Sequence, residues 1–283
     1  MDWIELLSTP FHYPFMLRGT IAAVLTGIVC ATVGVYVVLR GMAFFGDALA
    51  HSILPGVAIG YLVTGGDKVS LFWWGMGTAI VASFGIGAIS KGAKVKEDTA
   101  IGIIFAGMFS LGIAIISTVQ SYSVDLTHFL FGDILGVSAH QLWLIGFFGA
   151  GIVLVVLAFY KEFLVLTFDP VFAATLRIPL VWFEYLQLIL IAVAIAVSLQ
   201  TVGVALMIAM LVTPAAAAYL LTKRLAFMML LAALIASTSG VIGLYLSYYA
   251  NVASGPAIVL ITTVFFALAW MYKKIQMLVT GSK

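Results

Sequence analysis

The residues most able to do chemistry in this chain are Asp47 and His51. Their i, i+4 spacing puts a carboxylate and an imidazole on one face of a helix. Together they make half of a divalent-cation site, which a second copy of the chain, or backbone carbonyls and water, would have to complete. The same pair could instead form an internal hydrogen bond that holds a helix bundle together, or a proton relay.

The composition places this pair in a membrane. Of the 283 residues, 64% are hydrophobic and 8% are charged, whereas about 25% are charged in a soluble domain. A soluble fold of this size cannot hide so much apolar surface, which excludes a soluble enzyme, a disordered protein and a nucleic-acid-binding domain. Because ionisable groups in lipid are costly and mark functional sites, a cation site is the preferred interpretation of Asp47 and His51.

The long charge-free stretches predict an all-α polytopic membrane protein with eight or nine spans in one domain, 1–283. The runs do not alternate between polar and apolar residues, which excludes a barrel. The second segment contains Asp47, His51 and Pro55, so we expect it to be broken or partly re-entrant. The nine predicted segments are 18–39, 43–63, 71–90, 99–119, 140–160, 181–199, 202–221, 225–247 and 256–272.

The basic residues predict the orientation. With the N-terminus outside and nine crossings, 11 of the 13 Lys and Arg residues fall on the inner side, and only Arg18 and Lys68 stay outside. The positive-inside rule therefore predicts an outer N-terminus and a cytoplasmic C-terminus. The inner residues are Arg40, Lys91, Lys94, Lys96, Lys161, Arg177, Lys223, Arg224, Lys273, Lys274 and Lys283.

The longest inner connection, 161–179, contains a predicted short helix. Asp169 is a suitable cap and Pro170 a suitable first residue. The residues that follow, including Ala173 and Ala174, give the helix an apolar face. The helix either lies on lipid headgroups or docks into a cytoplasmic partner, and composition alone favours the headgroup interpretation.

Two further features concern ligands that the chain could bind. The outer loop contains Asp125, His128, Asp133 and His140, but their spacing fits no compact metal site and is typical of a solvated loop. The sequence has no G-x-x-x-x-G-K-[ST] phosphate-binding loop. If ATP drives transport, it must therefore bind to another polypeptide.

Five segments strongly resemble the membrane permeases of zinc/manganese/iron ABC importers. The first, 40–58, reads RGMAFFGDALAHSILPGVA and contains Asp47 and His51. The resemblance covers essentially the whole chain, with its motifs in the right order. The other four segments are 96–102, 130–136, 203–221 and 253–256.

This resemblance implies a type II ABC importer-like permease that works as a homodimer with its pore at the twofold axis. The implied partners are a second copy of the chain, a cytoplasmic ATP-binding subunit and an extracellular or periplasmic metal-binding protein, in a bacterial cell (inner) membrane. The chain would be a transport subunit rather than an enzyme, with no tightly bound cofactor and no nucleic-acid partner. Asp47 and His51 match positions proposed to line the cation path. The segment 168–179, with Asp169, Pro170, Ala173 and Ala174, looks like the coupling helix.

The cargo follows from ligand chemistry and from the resemblance together. Mixed oxygen and nitrogen ligands suit Mn²⁺, Fe²⁺ or Zn²⁺ and disfavour Cu⁺. Because Pro55-Gly56 resembles the manganese-type members, Mn²⁺ ranks first and Zn²⁺ or Fe²⁺ next, with alternating access as the expected mechanism. Two alternatives stay open: a secondary carrier driven by protons or sodium, with Asp47 and His51 as a relay, and a permease for a metal chelate.

Overall fold

The protein is helical throughout the part of the chain that a computed structural model describes, namely residues 9–118, 134–169, 173 and 179–279. Within these ranges, nine helical segments are long and apolar enough to cross a membrane, which confirms the predicted number. The predicted all-α polytopic fold is therefore confirmed as well.

The helices follow the predicted segments, with longer first and last members. The second span is divided in two, and a short helix that was not predicted follows the fifth span. The helices are α1 (Pro14–Leu39), α2 (Phe45–Ser52), α3 (Leu54–Thr64), α4 (Lys68–Gly92), α5 (Glu97–Ile116), α6 (Ala139–Ala158), α7 (Tyr160–Phe168), α8 (Leu180–Val202), α9 (Val204–Leu221), α10 (Leu225–Ala250) and α11 (Ser254–Val279).

Local sequence signals explain several helix starts. Pro14 occupies the first turn of α1, where its missing N–H costs no hydrogen bond. Ser138 and Gln141 form a reciprocal capping box at the start of α6. Asp67 caps α4, and its carboxylate accepts hydrogen bonds from the hydroxyl and the backbone N–H of Ser70, at 2.8 and 3.0 Å. These two bonds lower the pKa of the exposed Asp67 carboxyl.

Helix α1 runs through the centre of the protomer and packs against α6, α8, α9 and α10. Gly34 lets α1 approach α9 very closely, because a Cβ atom there would overlap the carbonyl oxygen of Leu211. Two polar side chains of α1 contact α8: the Cys30 thiol donates to the Ser198 hydroxyl at 3.2 Å, and the Thr26 and Thr201 hydroxyls lie 3.5 Å apart. Close helix approach and these contacts between polar side chains therefore join α1 to α8 and α9.

Helix α5 lies at the edge of the protomer, where it packs on α2, α3 and α4. Only 17% of its apolar stretch is buried within the protomer. Small residues recur at every fourth position of α5, and all four are exposed: Gly102, Ala106, Ser110 and Ala114. A second helix could therefore approach this side of α5 closely.

Helix α7 begins at Tyr160, two residues after α6 ends at Ala158, and leads to Asp169. Its Phe163 is fully buried and lies edge-on to Phe183 of α8, with ring centroids 6.0 Å apart. The centroid of the Phe163 ring is 5.7 Å from that of Tyr36 of α1. Phe159 joins the same aromatic cluster through Phe183, at 5.4 Å. The cluster fixes the position of α7 against the two central helices.

Candidate functional site

The short helix α2 carries the predicted pair on one face and its packing residues on the other. Phe45, Leu49 and Ser52 are buried, and the Ser52 hydroxyl donates to the Ala48 carbonyl at 2.7 Å. The side chains of Asp47 and His51 are 45% and 25% exposed. Because the apolar residues repeat at helical spacing, burying them turns both polar residues toward the same open side.

Asp47 and His51 are close together, as the i, i+4 spacing predicted. Asp47 Oδ1 lies 3.5 Å from His51 Nε2, longer than an ordinary hydrogen bond between these atom types. The imidazole also packs on α5, with its centroid 5.9 Å from that of Phe105 and 5.5 Å from that of Phe109. The two phenyl rings orient the imidazole, while the long contact to Asp47 leaves oxygen and nitrogen atoms free to bind a cation.

A break in the second span ends α2 directly after the site, as predicted. Ile53 separates α2 from α3, and Pro55 lies in the first turn of α3. Because Pro55 has no backbone N–H, the carbonyl of His51 cannot receive the usual i+4 hydrogen bond. The site therefore lies at the end of a half-length helix.

The turn before α2 is held by Arg40. Its guanidinium pairs with the carboxylate of Glu97 at the start of α5 and donates to Gln187 Oε1 of α8 at 2.8 Å. Gly41 then adopts a φ of 72°, a left-handed conformation that favours glycine. This anchor connects α1, α5 and α8 immediately before the site.

The sequence places Arg40 among the inner basic residues and at the start of the segment 40–58, but it does not reveal this anchoring role. The partners of Arg40 lie 57 and 147 positions further along the chain, and no local pattern reveals such a pairing.

A second ion pair, Lys91 with Glu184, joins α4 to α8, and the Lys91 ammonium also lies 5.1 Å from the centroid of the Tyr185 ring. Both ion pairs lie at helix ends on the predicted inner side.

The site offers two metal-ligating side chains per protomer. Among the described residues, no group of three or more His, Cys, Asp or Glu side chains could hold a metal ion. His140 is exposed in the first turn of α6. The other outer-loop candidates, Asp125, His128 and Asp133, lie outside the described residues.

The predicted coupling segment is described only in part. Asp169 is exposed, directly follows α7, and accepts a hydrogen bond on its carbonyl oxygen from the N–H of Ala173 at 3.0 Å. Ala173 is helical and fully buried. Pro170 and Ala174 lie outside the described residues.

Comparisons with known proteins give consistent matches over nearly the full length. The family described as the ABC 3 transport family matches residues 12–273. The manganese transport system membrane protein MntC of Halalkalibacterium halodurans is 41% identical over 268 residues, covering 95% of this chain and 90% of that protein. The chelated iron transport system membrane protein YfeD of Yersinia pestis is 37% identical over 276 residues, covering 96% of this chain and 90% of the relative.

A solved structure agrees with these relatives. The chain is similar to one in the structure of PsaBC from Streptococcus pneumoniae in complex with Fab, with a TM-score of 0.80 and 35% sequence identity. The match covers 95% of this chain and 95% of the other. The helical arrangement described above is therefore shared with an experimentally determined protein.

Proposed function

The chain belongs to the ABC 3 transport family and is the membrane permease of a metal importer of the ABC type; from this premise we propose that it carries divalent transition-metal cations inward, with Mn²⁺ first and Fe²⁺ or Zn²⁺ next. The relatives named for manganese and chelated iron transport support this ranking. Carboxylate and imidazole ligands suit the same three ions.

The observation that carries the proposal is the incomplete cation site on the open face of α2. One carboxylate and one imidazole do not fill the coordination shell of a divalent ion, and both side chains remain partly exposed. A second protomer related by a twofold axis would bring another Asp47 and another His51 to the same place. Two copies would thus offer four ligands, few enough to release the ion on the inner side.

A homodimer also accounts for the exposed side of α5. Helix α5 packs on α2 and orients His51, so its exposed stripe of small residues lies close to the site. In lipid, such stripes allow close helix association, which is driven by van der Waals packing. We place the twofold axis on the side of the protomer formed by α2 and α5.

Two further partners complete the proposed importer. A separate cytoplasmic ATP-binding subunit would dock near Asp169, with buried Ala173 anchoring the segment and exposed Asp169 facing the subunit. An extracellular or periplasmic metal-binding protein would deliver the cation to the other side. ATP binding would then drive alternating access at the Asp47–His51 site, with the N-terminus outside and the C-terminus in the cytoplasm.

The decisive experiment is uptake of radioactive manganese by proteoliposomes that contain the chain and its ATP-binding subunit. Asp47→Asn and His51→Ala should each lower uptake by about a hundredfold. Replacing a residue that merely hydrogen-bonds to a metal ligand already costs about ten- to a hundredfold in metal affinity or activity, and replacing the ligand itself should cost at least as much. Asp67→Asn and His140→Ala are matched controls and should transport normally, since neither residue lies on α2. Competition by Fe²⁺, Zn²⁺ and chelated metal would rank the cargo.

Two results would contradict the proposal. Normal uptake by both site variants, with dimer and ATPase complex intact, would remove Asp47 and His51 from the cation path. Uptake driven by a proton or sodium gradient, with neither ATP nor the ATPase subunit, would identify a secondary carrier instead.

A further inference from the structure

A groove opens between α6 and α10, away from the proposed cation site. Its volume is about 780 Å³, and Thr32 of α1 lies in its lining. Most of the walls are aliphatic and include Val153, Leu157, Met229 and Leu230. The face that carries the cation site is formed by α2 and α5, which pack mainly against α3, α4, α8 and α9. A second copy of the chain bound to that face would therefore leave the groove between α6 and α10 facing lipid.

One end of the groove is polar. Tyr160, Lys161 and Glu162, in the first turn of α7, contribute to the lining there. Within the described part of the chain, neither Lys161 nor Glu162 forms an ion pair. An ammonium and a carboxylate, neither of them in an ion pair, therefore both line the end of an aliphatic trough.

The position of this end matches the polar boundary of a membrane. Helix α6 ends and helix α10 begins here, and Lys223 and Arg224 immediately precede α10. Lysine and arginine near helix ends extend toward lipid headgroups. The aliphatic part of the groove then lies at acyl-chain depth, and Lys161 and Glu162 lie at headgroup depth on the predicted inner side.

We propose that this groove binds one aminophospholipid of the inner leaflet. The phosphate pairs with the Lys161 ammonium, the primary ammonium of the lipid donates to the Glu162 carboxylate, and an acyl chain lies between Leu157 and Leu230. The two charges select the headgroup: an anionic lipid without an amine has the same phosphate but no cation to neutralise Glu162, and a quaternary ammonium has no N–H to donate to it.

Native mass spectrometry of the purified, delipidated full-length chain tests this proposal. Phosphatidylethanolamine, phosphatidylglycerol and phosphatidylcholine with identical acyl chains are added back separately, and bound lipid is counted per chain. The unaltered protein should retain phosphatidylethanolamine in preference to the other two. Lys161→Gln should lower that retention about fivefold, the effect of one cation near a lipid phosphate, whereas Lys94→Gln, at an exposed inner turn, should not.

Two more variants separate the headgroup contacts from the groove itself. Glu162→Gln should lower phosphatidylethanolamine retention while phosphatidylglycerol retention stays equal or rises. Ala233→Trp should fill the groove and lower retention of every lipid, with folding checked by size-exclusion chromatography. The proposal would be overturned if the unaltered protein retained all three lipids equally, or if retention were unchanged in both Lys161→Gln and Glu162→Gln. Complete loss of the bound lipid when the ATP-binding subunit binds would also overturn it.

Discussion

Helices α1 and α5 are similarly apolar, yet they occupy opposite environments. In α1, 72% of the apolar stretch is buried within the protomer, against 17% in α5. Helix α1 is packed by four other helices, while α5 has one covered side and one open side. Hydropathy therefore identifies helices that cross a membrane but does not say whether lipid, protein or a partner surrounds them.

The difference between the two helices lies in where their small residues point. In α1, Gly34 faces the interior of the protomer and allows close contact with α9. In α5, the stripe of small residues at positions 102, 106, 110 and 114 has no covering element within the described part of the chain. Helix α1 therefore belongs to the interior of the fold, whereas α5 presents the open face at which we propose that a second copy packs.

The largest expected effect tests the interior of the fold. Gly34→Ala should destabilise the protomer by about 3 kcal/mol, because its methyl group overlaps a backbone carbonyl of α9 that cannot move without separating two helices. The measurement is the melting temperature and the monodisperse fraction in detergent. Gly107→Ala is the matched control, since a Cβ atom at Gly107 meets nothing within 4 Å. Equal stability of the two variants would remove the distinction between interior and face.

A smaller effect is expected where the two regions are joined, at the Arg40–Glu97 ion pair. A double-mutant cycle with Arg40→Ala and Glu97→Ala should give a coupling energy of about 1 kcal/mol, since both side chains are partly exposed. Urea or thermal unfolding of the purified chain measures each corner of the cycle. Lys274→Ala removes a cation elsewhere and should show no coupling with Glu97→Ala. A coupling energy near zero would mean that the pair does not tie α1 to α5.

The smallest expected effect concerns the open face of α5. Ser110→Leu should leave the protomer folded but weaken self-association about threefold, because the larger side chain hinders close helix approach. Analytical ultracentrifugation in detergent measures the dimer fraction. Ala267→Leu adds the same side chain to an exposed position of α11 and should leave the dimer intact. An unchanged dimer fraction in Ser110→Leu would place the twofold contact elsewhere.

The sequence predicted those parts of the fold that depend on local pattern. Charge-free stretches predicted nine spans, and Pro55 in a segment that contains Asp47 and His51 predicted a broken or partly re-entrant segment, whose break the structure places at Ile53. The i, i+4 spacing correctly put both site residues on one face. The orientation in the membrane and the roles of Asp47, His51 and Asp169 stay predictions.

The features that sequence reasoning missed depend on distant contacts. Arg40 meets Glu97 and Gln187 only after three helices have packed, so spacing along the chain carries no signal for it. Helix α7 was not predicted because its start at Tyr160 continues an apolar run, and the aromatic cluster that fixes it comes from α1 and α8. Phe105 and Phe109 were missed as neighbours of His51 for the same reason.

The break at Ile53 also has an electrostatic consequence. Each helix carries partial positive charge at its N-terminus and partial negative charge at its C-terminus. Ending α2 at Ser52 and beginning α3 at Leu54 brings the negative end of one helix and the positive end of the next together beside His51, so the two partial charges offset each other. What remains at the break is local: the carbonyl oxygen of His51 lacks an i+4 donor at Pro55 and so adds a partial negative charge beside the proposed Asp47–His51 site.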